Sequence, residues 1–123
     1  MVSFEYWFEN ILATCELIAS RDTFKTVWVL GDKTITSIHY PSELFEQLLG
    51  DLRLEEGVEF YKDKLRELDQ FEAVAAFASA LLNLERNYQN NPDAEKLLAS
   101  QEWATCQLTA GRVIYFQRTD RIR

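Results

Sequence analysis

Between residues 43 and 72 the chain places ten carboxylates (Glu43, Glu46, Asp51, Glu55, Glu56, Glu59, Asp63, Glu67, Asp69 and Glu72) among four cations (Arg53, Lys62, Lys64 and Arg66). Ionised carboxylates are not buried without partners. This stretch must therefore keep one face in water. Its apolar residues supply the opposite face at helical spacing: Leu44, Phe45, Leu48 and Leu49, then Val58, Tyr61, Leu65 and Leu68. Ser42 is the expected cap of the first helix, and Gly50 and Gly57 mark bends. The carboxylates are thus expected to face outward on a helical scaffold. The stretch holds most of the net charge of −7.

The flanks divide into two kinds of pattern. Residues 3–20 read as a helix, with Phe4, Trp7, Phe8, Ile11, Leu12, Cys15 and Ile18 on one stripe. Residues 70–89 read as an Ala-rich central helix carrying Phe71, Val74, Phe77, Ala78, Leu81 and Leu82 on its apolar face. Asp69 and Glu72 have capping-box spacing at its start. Asn91-Pro92-Asp93 predicts the start of a short helix bearing Leu97 and Leu98.

Residues 24–30 and 34–40 are instead rich in β-branched and aromatic side chains around Gly31-Asp32-Lys33, which predicts a hairpin. Residues 103–109 and 112–118 around Ala110-Gly111 predict a second. Leu17 to Asp22 and Leu97 to Glu102 resemble each other, and each leads from a helix end into one of these segments. The expected fold class is α+β within a single domain, 1–123. An N-terminal helix precedes two β-hairpins that form one four-stranded antiparallel sheet, with helices 42–100 packed on it.

Little in the chain points to chemistry. Cys15 and Cys106 are expected to be reduced and buried. His39 is the single histidine and has no local nucleophile motif beside it. Two Cys and one His fall short of a structural zinc set, and neither an EF-hand loop nor Glu-x-x-His pairs occur, so no metal site is expected. The four glycines (Gly31, Gly50, Gly57 and Gly111) form no phosphate-binding motif, and no cofactor is expected. A pI near 4.7 and the lack of a basic stripe argue against nucleic acid. The basic cluster Arg112, Arg118, Arg121 and Arg123 is small. No apolar run is long enough for a membrane span, and residues 1–5 do not resemble a signal peptide. The expected compartment is the cytoplasm.

An acidic domain without a catalytic constellation suits a role by binding. Its field attracts basic proteins and speeds their capture. In size and charge the chain resembles the immunity proteins that neutralise bacterial nuclease toxins, including those of contact-dependent growth inhibition. That resemblance implies an inhibitor, not an enzyme, that occludes a basic toxin or nuclease domain. It is compositional, so no functional residues carry over from it. The candidate contacts come from the acidic stretch: Glu55, Glu56, Glu59, Asp63 and Glu67, with Tyr61 as an aromatic anchor. The alternatives are a structural or regulatory subunit, homodimeric through a sheet edge, and a small enzyme or ligand-binding domain with a pocket lined by Trp7, Trp28 and Trp103.

Overall fold

The computed structural model describes residues 1–122, with side chains described to Gln117. Among the described residues the regular structure is all helical and contains no strand. The elements are α1 (Phe4–Ala19), α2 (Thr23–Trp28), α3 (Pro41–Phe45) running into a π-helical turn (Glu46–Asp51), α4 (Leu54–Phe60), α5 (Lys62–Glu67), α6 (Phe71–Asn90), α7 (Ala94–Leu98) and α8 (Gln101–Ile122). The expected α+β fold and its four-stranded sheet are therefore wrong.

Two long helices behave as their spacing predicts. In α1, Phe4, Trp7, Phe8, Ile11, Cys15 and Ile18 are buried, and the Ser3 hydroxyl accepts from the Tyr6 amide at 3.2 Å to cap the helix. In α6, Val74, Phe77, Ala78, Leu81 and Leu84 are buried. The central position belongs to α8, which packs along both α1 and α6. Buried residues from Phe4 to Ile114 form one continuous cluster.

The first expected hairpin is α2 followed by an irregular segment. Helical geometry places Phe24 and Trp28 one turn apart, with their rings stacked at 4.3 Å, and both lie against Trp103. Phe24 and Val27 are buried together on this face. Burying two such side chains contributes on the order of 3–6 kcal/mol, against β-propensity differences of about 1 kcal/mol. Packing therefore overrides local preference. Gly31 takes a positive φ of +80° but joins no hairpin. Beyond it the Asp32 carboxylate accepts from both the amide and the hydroxyl of Thr34, which holds its pKa below the usual range. The Trp28 indole then donates to the Ile38 carbonyl at 3.1 Å, pinning the segment without a ladder.

The second expected hairpin lies within α8. Trp103, Cys106, Ala110, Val113 and Ile114 are buried, at a three-and-four spacing that fits one helical face. Thr109 is tolerated inside the helix because its hydroxyl donates to the Thr105 carbonyl at 2.9 Å. The Gln107 amide donates to the Ile18 carbonyl at 3.1 Å, tying α8 to the end of α1. Both copies of the internal echo thus run from one helix into another. The side chains of Arg118, Arg121 and Arg123 lie outside the described residues.

Several expected caps are also displaced. Asn91 closes α6, and the cap of α7 is Asp93, whose carboxylate accepts from the Lys96 amide at 3.1 Å. Tyr40 precedes α3 and Pro41 opens it, so Ser42 is not the cap. Gln70, not Asp69, flanks the start of α6.

Gly111 separates the helical from the hairpin architecture. A Cβ at this position meets nothing within 4 Å. Gly111→Ala should therefore raise stability by about 0.5–1 kcal/mol in urea or thermal unfolding, by relieving the cost of glycine within a helix. A loss of stability is the outcome a glycine-dependent turn would give.

Candidate functional site

The acidic stretch is built on α4 and α5, which three contacts position. Trp7 is wholly buried, and its indole N–H donates to the Leu52 carbonyl at 2.8 Å. The same indole occupies the space that a Cβ on Gly57 would need, so α4 approaches α1 closely at that glycine. Tyr61 separates the two helices. Its ring packs at 5.3 Å from Phe4 and 5.2 Å from Trp7, and its hydroxyl donates to the Val2 carbonyl.

The far end of α5 closes in a Schellman motif. The Gln70 amide donates to the Leu65 carbonyl at 2.8 Å, and the Asp69 amide to Arg66 at 3.0 Å. Asp69 takes the left-handed conformation this motif requires, with φ 56°. That geometry explains why Asp69 ends α5 and does not cap α6. Gln70 is fully buried and donates from its side chain to the Val113 carbonyl at 2.9 Å, which fastens the junction to α8.

With the inner face held, Glu55, Glu56, Glu59, Asp63 and Glu67 are all exposed. Tyr61 is not available as an anchor. It is only 7% exposed and belongs to the core. The exposed aromatic is its neighbour Phe60, at 66%, with its ring edge-on to Tyr61 at 4.8 Å. Phe60 falls off the apolar stripe and has Glu56, Glu59 and Asp63 close by in sequence. That combination was readable beforehand: a large aromatic on the charged side of a helix.

Two of the four cations of the stretch pair with its acids. Arg53 pairs with Glu56 at 2.8 Å, and Lys62 reaches Glu59 only at 3.9 Å. Lys64 lies over the Phe4 ring at 5.6 Å, and Arg66 over the Phe71 ring at 4.9 Å. Neither makes an ion pair among the described residues. Cation–π contact on the flanks thus leaves Glu55, Asp63 and Glu67 without cationic partners among the described residues.

Cys15 and Cys106 are free and buried. Burial raises the Cys15 thiol well above its ordinary pKa and pushes Cys106 up to about 12, far from the thiolate a nucleophile requires. His39 is half-buried in the segment before α3, where its backbone N–H donates to the Glu43 carboxylate at 3.1 Å. Among the described residues no three His, Cys, Asp or Glu converge as a metal would need, and no helix is long and apolar enough to cross a membrane. Trp7 and Trp103 are core residues, and half-buried Trp28 packs against Trp103. Their packing is with the core and, for Trp28 and Trp103, with each other.

No family model, curated protein or solved structure matches the chain.

The position of the acidic face depends on the absence of a side chain at Gly57. Gly57→Ala should lower stability by about 1–3 kcal/mol in urea unfolding, because the buried indole has to move. An unchanged or raised midpoint would show that α4 does not rest on Trp7.

Proposed function

We propose that this protein acts by binding and not by catalysis, as an immunity-type inhibitor that occludes a basic toxin or nuclease domain through the α4–α5 face. The observation that carries this reading is the separation of charge on that face. Lys64 and Arg66 lie over rings on its flanks, while Glu55, Glu59, Asp63 and Glu67 are exposed around Phe60. Acids left without ion pairs cost the fold self-repulsion. This face sets Glu55, Asp63 and Glu67, which carry no ion pair among the described residues, around an apolar centre with the cations at its edges, an arrangement that steers a basic partner and then slows its release. The same field disfavours direct contact with nucleic acid. The two unpaired thiols suit a reducing compartment, and we set the encounter in the cytoplasm.

The test is stopped-flow association with a basic domain encoded beside this chain. The association rate should fall steeply with ionic strength and drop at least about tenfold in the double variant Glu55→Lys, Glu59→Lys. Phe60→Ala should leave the association rate nearly unchanged and speed dissociation by about 30-fold, as loss of a hot-spot aromatic does. An association rate indifferent to both salt and charge reversal would remove the face from the interaction.

A further inference from the structure

The π-helical turn and the second half of α6 flank an open groove of about 450 Å³, lined by Phe45, Glu46, Leu49, Gly50, Glu85 and Tyr88. We infer that this groove receives an arginine side chain of the basic partner. The inference rests on the binding reading above and names a second point of contact, apart from the α4–α5 face.

The lining has two chemical components. The half-buried Tyr88 ring is backed by buried Phe45, with centroids 5.8 Å apart at 45°, and supplies the aromatic face. Glu46 is exposed and Glu85 half-buried, and the ionisable lining includes no cation. Aromatic faces together with carboxylates suit a guanidinium, which stacks on a ring and presents a planar fork of donors to an acid. A second groove of the same volume, between the start of α6 and α8, mixes Arg66 with Asp69 and Glu72 and so lacks this bias.

The backbone also shapes the groove. The Leu52 amide donates to the Gln47 carbonyl at 2.9 Å, five residues back, which widens the helix at Glu46–Asp51. Such π-turns are rare and frequently mark functional sites. The turn keeps Leu48 and Leu52 in the core while Glu46, Leu49 and Gly50 line the groove wall. Gly50 leaves that wall open, since a Cβ there meets nothing within 4 Å.

The experiment uses the full chain, isotopically labelled, titrated in NMR with the capped peptide acetyl-Gly-Arg-Gly-amide. Controls are the same peptide with citrulline, which keeps the shape and removes the charge, and with lysine. Saturable shifts are expected at Glu46, Leu49, Gly50, Glu85 and Tyr88, with millimolar affinity for the arginine peptide. The citrulline peptide should bind at least about tenfold more weakly and the lysine peptide several-fold more weakly. Gly50→Leu should abolish these shifts by filling open space, and Glu85→Gln should weaken them without altering the groove's shape.

Equal binding of the citrulline or lysine peptide would overturn the guanidinium assignment. Shifts confined to α4 and α5, or none at the groove, would overturn the site. The two readings fail separately. Loss of salt-steered partner association with arginine still seated in the groove removes the α4–α5 face alone. The reverse pattern removes the groove alone.

Discussion

The contact between the Trp7 indole and Gly57 determines where α4 can lie, and the acidic face depends on that placement. One ring does two things. Its N–H satisfies the Leu52 carbonyl where the π-turn ends, and its surface fills the space left by the missing side chain of Gly57. A buried indole needs a partner for its N–H. Meeting that need with a backbone carbonyl immediately before α4 joins the core of α1 to the start of the charged segment. Tyr61 repeats the arrangement one turn later, its ring in the core and its hydroxyl on the Val2 carbonyl. The Schellman closure at Asp69 and the Gln70 bond to Val113 fix the far end. Short helices have little stability of their own. These attachments are what present α4 and α5 as one surface.

The charge on that surface follows from where the long cations can reach. Lys64 and Arg66 come from the same short helix as Asp63 and Glu67, yet they lie over Phe4 and Phe71 at its edges. The aromatic core thereby draws the cations aside, and the acids remain exposed. Phe60 completes the pattern, because the register that buries Tyr61 turns its neighbour outward. Core packing and the proposed binding surface are in this sense one arrangement seen from two sides.

Where the apolar period was unambiguous, the sequence was legible. The stripe from Phe4 to Ile18 and the one around Val74, Phe77 and Leu81 yield α1 and α6 nearly to the residue. Legibility failed where β-branched and aromatic residues clustered around a glycine. Phe24, Val27 and Trp28 carry a helical spacing, but the run is too short for that period to stand out among β-prone residues. In α8 the period from Trp103 to Val113 is also helical, and Gly111 sits within the helix although Ala110-Gly111 reads as a turn in sequence. The acidic face was readable because unpaired carboxylates must face water. Tyr61, expected as an aromatic anchor, lies on the apolar stripe and is in the core, while its neighbour Phe60 is exposed. The π-turn and the Trp7–Gly57 approach are products of tertiary packing, and no local pattern announces either.

The claim most exposed to test is that α4 and α5 form a rigid platform and not a loosely attached flap. Native-state hydrogen exchange reads this directly, through the amides of Gly57, Tyr61 and Leu65, which donate to Arg53, Gly57 and Tyr61 at 2.8–2.9 Å, together with the indole N–H of Trp7. These sites should exchange only with global unfolding, at the same free energy as the core amides of α6. Rapid exchange of α4 and α5 while α1, α6 and α8 stay protected would contradict it, leaving the carboxylates on a mobile segment with no fixed surface to present.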